Sequence, residues 1–148
     1  MPLFYVDASA VVKLIVDEPE SEALRTFIDG ADPVSCELIL TEVPRAIRRA
    51  AARDDRLPLD VLISRAGQTI DSLALAPLDR GLLLAAGALA EPMLRALDAI
   101  HVAAAADLGP IDAFVTYDER QAAAARLAGM RTMSPKPGAS NDERSLDR

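Results

Sequence analysis

Two aspartates close apolar runs. Asp7 follows Leu3 to Val6 and Asp118 follows Ala113 to Tyr117, each immediately ahead of a helical pattern. In an open parallel sheet the ligand crevice lies beyond the carboxyl ends of the strands, so both carboxylates fall on one sheet edge. Glu42 lies one to two turns into the helix after a second strand, and Asp98 lies in the first turns of the helix leading towards the strand before Asp118. All four acids can converge there. Ser9 and Thr116, each two residues from an aspartate, add hydroxyls to the same edge. Four carboxylates with no lysine nearby repel one another unless a hard divalent cation joins them. Oxygen-only ligands select Mg²⁺ or Mn²⁺ over zinc, and water bound to such an ion loses a proton more readily. Hydrolysis of a phosphodiester suits that arrangement.

Each of these residues also has a plainer use. An aspartate after a strand is often a helix N-cap. Glu42 is spaced to pair with Arg45, and Asp98 with His101, across one helical turn. His101 sits among Ile100, Val102 and alanines, which favours a hydrogen-bonded supporting role over metal ligation. Cys36 reads as a small buried residue with nothing nearby to depress its pKa. From Val43 to Arg53 there are four arginines, Arg45, Arg48, Arg49 and Arg53, and no acid. Arginine suits phosphate better than a generic solubilising charge requires, and this face adjoins Glu42, so it is read as positioning a nucleic-acid backbone.

The elements that must hold these residues alternate. Strands are expected at Leu3 to Val6, Pro33 to Cys36, Ile70 to Leu75, Ala113 to Tyr117 and, at an edge, Arg131 to Met133. Helices are expected from about Ser9, from Pro19 to Asp29, from Glu37 to Arg53 with Leu40, Val43 and Ile47 opposite the arginines, and from Pro58 to Thr69. Three more follow: Arg80 to Leu89, Leu94 to Leu108, and Asp118 to Leu127. Pro44 inside its helix removes one backbone donor, so a kink or a later start is expected. The alternation predicts a three-layer α/β/α domain with a mainly parallel sheet of four to five strands. We place that domain at residues 1–135. Residues 136–148 lack apolar periodicity and read as a mobile tail.

Composition narrows the class. The chain has 148 residues, 51% of them hydrophobic and 26% charged, which excludes a disordered polypeptide and fits one domain. A single cysteine cannot form an internal disulfide, and one histidine leaves too few soft ligands for a zinc cage. A reducing cytoplasm is the expected location. The start of the chain lacks the layout of a signal peptide, and no apolar run is long enough to span a bilayer. The net charge of -7 means that any contact with nucleic acid must come from a local basic patch.

Taken in order, four segments carry a family resemblance: Asp7-Ala8-Ser9-Ala10 followed by Val11-Val12-Lys13-Leu14; Thr41-Glu42 followed by Arg45 and Arg49; Leu97-Asp98-Ala99-Ile100-His101 with its alanine run; and Thr116-Tyr117-Asp118 followed by Ala122 to Gly129. Over about residues 3 to 135 the chain resembles the PIN-domain family, specifically the VapC-like toxins of toxin–antitoxin pairs. The resemblance implies a PIN-like fold and an endoribonuclease dependent on Mg²⁺ or Mn²⁺. It further implies an acidic quartet of Asp7, Glu42, Asp98 and Asp118, inhibition by a cognate VapB-like antitoxin, and a homodimer. Two other readings stay open. An Mg²⁺-dependent phosphohydrolase would use Asp7 as nucleophile, but its acid–base partner belongs two residues later, where Ser9 stands. A catalytically silent binding module would grip a partner chain without turnover.

Overall fold

The computed structural model describes residues 1–138. Five strands form one sheet: β1 (Leu3–Val6), β2 (Asp32–Cys36), β3 (Ala74–Ala76), β4 (Ala113–Val115) and β5 (Thr132–Met133). Their spatial order is β3-β2-β1-β4-β5, and every pairing is parallel. Parallel neighbours need crossovers, and helices supply them. They are α1 (Ala8–Ile15) and α2 (Ser21–Ile28) after β1, α3 (Ile39–Arg53) and α4 (Leu59–Asp71) after β2, α5 (Arg80–Gly87) and α6 (Ala96–Asp107) after β3, and α7 (Glu119–Leu127) after β4.

Alternation along the central strands divides the core in two. Phe4 and Val6 of β1, with Ala113 and Val115 of β4, face α1 to α4, where Val11, Ile15, Leu24, Val43, Ile47 and Leu62 are buried. Tyr5 and Phe114 point the other way, stack at 5.1 Å between ring centroids, and meet α5, α6 and α7. The alanine runs of α6 and α7 let those helices lie close to this face. The result is the expected three-layer α/β/α domain.

Local differences from the sequence reading have physical causes. The third strand is only Ala74–Ala76, because Ile70 completes the buried stripe Leu62, Ala66 and Ile70 of α4. At helical spacing an apolar residue serves the helix first, and β3 forms only where it can pair with Val34 to Cys36. The basic helix starts two residues late and then runs through Pro44. Pro44 falls in its second turn and leaves one first-turn carbonyl without its usual amide partner. Leu40 is exposed on that helix rather than buried with Val43 and Ile47, and Ile39 takes the core position. Beyond β5, the Ser134 hydroxyl donates to the Thr116 carbonyl at 2.5 Å and the Tyr117 hydroxyl to the Pro135 carbonyl at 2.7 Å. Lys136 to Gly138 are exposed; the remainder of the expected tail, 139–148, lies outside the described residues.

Candidate active site

Chain order places β1 at the centre, with β2 leaving to one side and β4 returning on the other. That reversal opens a crevice beyond the strand ends, the position where α/β sheets take their ligands. A cleft of about 700 Å³ lies here. Its lining includes Asp7, Glu42, Asp98 and Asp118 together with Ser9 and His101. Thr116 is buried beneath it and touches Asp7.

Asp7 is 1% exposed and caps α1. Its Oδ1 accepts from the Ser9 hydroxyl at 2.7 Å and the Ala10 amide at 2.9 Å, while its Oδ2 accepts from the Thr116 hydroxyl at 2.5 Å. Burial raises the carboxyl pKa above the ordinary value, although these three donors pull the other way. Ser9 and Thr116 lie 3.4 Å apart, yet both hydroxyl protons are committed to Asp7. Ser9 also accepts from the Tyr117 amide and Thr116 from the Asp118 amide, each at 3.0 Å. These bonds fix the turn after β4 against the start of α1. Asp118 caps α7, its Oδ1 accepting from the Arg120 amide at 2.9 Å and the Gln121 amide at 3.1 Å. The capping role and the place in the cleft coexist in both aspartates.

Glu42 and Asp98 find partners other than the near neighbours expected for them. Glu42 Oε2 lies 2.6 Å from His101 Nε2, across α3 and α6. A carboxylate only accepts, so Nε2 carries the proton. On the far side of the ring, Nδ1 meets the Tyr5 hydroxyl at 2.8 Å and Cys36 Sγ at 3.8 Å. Burial pushes the imidazole down, but its contacts with Cys36 and Glu42 outweigh that and hold it at about 10. Cys36 is thus not the isolated thiol expected from sequence: burial raises its pKa, and the His101 contact brings it below the ordinary value. Asp98 is held by Arg95, whose Nε lies 3.3 Å from Asp98 Oδ2 and whose second terminal nitrogen lies 3.5 Å from Asp118 Oδ2. Burial and the Asp118 charge raise the Asp98 pKa, with Arg95 opposing them.

The donor set is all oxygen at the cleft, the chemistry that Mg²⁺ and Mn²⁺ prefer. Among the described residues no three His, Cys, Asp or Glu side chains close into a cage for an ion. Mg²⁺ keeps several waters and needs only one or two carboxylates, so the acids fit it without such a cage.

Residues 4–127 match the family model described as PIN domain. The chain belongs to the PIN-domain family. Ribonuclease VapC46 of Mycobacterium tuberculosis (strain ATCC 25618 / H37Rv) is 39% identical over 143 residues, spanning 91% of this chain and 99% of its own length. Ribonuclease VapC47 of Mycobacterium tuberculosis (strain CDC 1551 / Oshkosh) is 34% identical over 139 residues, spanning 90% and 97%. These relatives make the chain a VapC-like PIN protein. Among solved structures, PAE2754 from Pyrobaculum aerophilum superposes with a TM-score of 0.63 over 88% of this chain and 90% of that one, at 20% identity, a likeness of fold.

In this PIN domain the arginine face divides. Arg45 and Arg49 line the cleft. Arg48 and Arg53 are exposed outside its lining. Sequence reasoning missed Arg95, Tyr5, Lys13 and Tyr117. Arg95 stands one helical turn before Asp98, a spacing that signals an ion pair. Lys13 lines the cleft, contrary to the expectation of no lysine nearby; it pairs with Glu18 and, at 3.1 Å, with Glu20, and lies 4.9 Å from the Tyr117 ring centroid. Its charge is thereby directed at glutamates outside the quartet. Tyr5 is hidden in an ordinary apolar strand and carried no signal.

Proposed function

We propose that this VapC-like PIN protein is a Mg²⁺- or Mn²⁺-dependent endoribonuclease, the toxin of a toxin–antitoxin pair. The observation that carries the reading is the meeting of Asp7, Glu42, Asp98 and Asp118 in one cleft at the sheet's reversal point, in a chain whose relatives are named ribonucleases. Asp7, Asp98 and Asp118 would hold the ion, with Glu42 beside them. When bound, the ion supplies an activated water and stabilises charge on the leaving oxygen of a phosphodiester.

The chain's own residues do the rest. Ser9 and Thr116 orient the Asp7 carboxylate by donating to separate oxygens. His101 orients Glu42 and is itself fixed by Tyr5. Arg45 and Arg49 bring positive charge to the cleft, where they would grip backbone phosphates, and Arg48 and Arg53 extend that face outward. A VapB-like antitoxin would inhibit the enzyme, and the active form would be a homodimer in the cytoplasm. Among the described residues no helix is long and apolar enough to cross a membrane.

The phosphohydrolase alternative gains nothing from the site, since Ser9 spends its proton on Asp7 and cannot act as the general acid. Parallel assays with RNA and a small phosphomonoester, each with Mn²⁺ and with chelator, test the reading. Turnover of RNA alone, and only with metal, is expected. Turnover of the phosphomonoester alone would replace it.

A further inference from the structure

The four acids are held by different means. Asp7 takes all three of its short bonds from neutral donors, and Glu42 takes His101. Asp98 and Asp118 share a cation instead, one guanidinium reaching Oδ2 of each at 3.3 and 3.5 Å. These contacts are longer than the 2.5 to 2.9 Å bonds made to Asp7. Arg95 is also 68% exposed, whereas Asp98 is only 14% exposed. It stands at the N-cap of α6 with extended backbone and no side-chain capping bond, so its side chain can leave without disturbing the helix.

We propose that Arg95 is a resident counter-cation that occupies the place between Asp98 and Asp118 and is exchanged for the divalent ion when the site loads. The proposal rests on the metal-dependent reading above and adds a built-in competitor to it. A guanidinium and a hard divalent cation seek the same carboxylate oxygens, and they cannot both lie between Oδ2 of Asp98 and Oδ2 of Asp118. The Arg95 contacts are loose and solvent-exposed, which makes such a pair weak and readily replaced. An ion carrying two charges on a compact centre attracts both acids more strongly than one delocalised charge does. Without either cation the two acids face each other unneutralised. Arg95 therefore keeps the metal-free site assembled while lowering its apparent affinity for metal.

The test is titration of Mn²⁺ into the purified full-length protein, following the free aquo-ion signal by electron paramagnetic resonance. Arg95→Gln should bind Mn²⁺ about 3- to 10-fold more tightly than the wild type. Arg49→Gln removes the same charge from the cleft lining at a residue that pairs with neither acid among the described residues, and it should shift the affinity much less. Equal affinity in the wild type and Arg95→Gln, or an equal gain in Arg49→Gln, overturns the exchange and leaves the metal reading standing. Mn²⁺ bound by none of the proteins overturns both.

Discussion

His101 Nε2 donates to Glu42 Oε2 at 2.6 Å and so ties α6 to α3 inside the cleft wall. The ring is almost fully buried, and its other nitrogen meets the Tyr5 hydroxyl of β1. One side chain thus links the central strand, the basic helix and the helix carrying Asp98. Replacing His101 by Ala should lower stability by about 3 kcal/mol, from the orphaned Tyr5 hydroxyl and the cavity left behind. Urea unfolding measures it. Tyr5→Phe, which removes only the distal partner, should cost less and keep most turnover.

The contacts of the same ring with Cys36 and Glu42 set a pH dependence. The folded pKa of His101, about 10, lies above the ordinary 6.5. Protonation therefore favours the folded state, and that stabilisation is complete below 6.5 and lost as pH rises towards about 10. Melting temperatures of the wild type should fall across this window. His101→Gln should show a flatter profile there, and parallel profiles would show that the pair contributes nothing.

Asp7 titrates with the same sign for a different reason: its neutral form is the one the fold favours. Burial raises its pKa, so in the metal-free protein its ionisation costs folding free energy, and its contribution to stability falls as pH rises from the ordinary 3.8 towards the raised value. Asp7→Asn keeps an acceptor for the Ala10 amide and should melt no lower than wild type at neutral pH in chelator. Its turnover should drop by more than the roughly 10- to 100-fold typical of residues that act from outside a metal's ligand set.

The arginine face makes a graded expectation. Arg45→Ala and Arg49→Ala should each reduce the slope of log affinity against log salt for single-stranded RNA by about 0.7, measured by anisotropy in chelator. Arg48→Ala and Arg53→Ala, whose side chains lie outside the cleft lining, should change it less.

Sequence order and hydrophobic period were enough to place the strands that matter most. Leu3 to Val6 and Ala113 to Tyr117 are short runs that each end at an aspartate, and the strands form within them at Leu3–Val6 and, two residues shorter than expected, at Ala113–Val115. Asp7 and Asp118 followed from their position at those strand ends. What stayed hidden were choices made by tertiary contact. Glu42 has Arg45 and Asp98 has His101 three positions on, yet His101 went to Glu42 across 59 residues, and Asp98 paired with Arg95, three positions before it. Spacing along a helix names candidates, and packing between helices selects among them. Leu40 likewise satisfied the apolar period of α3, but Ile39 reached the core.

The most direct measurement is cleavage of a single-stranded RNA by the wild type, Asp7→Asn and Asp98→Asn, each in Mn²⁺ and in chelator, with circular dichroism of every variant alongside. The account predicts cleavage by the wild type in Mn²⁺ alone, and none by either folded variant. Cleavage at full rate in chelator, or wild-type turnover by either variant, would contradict it.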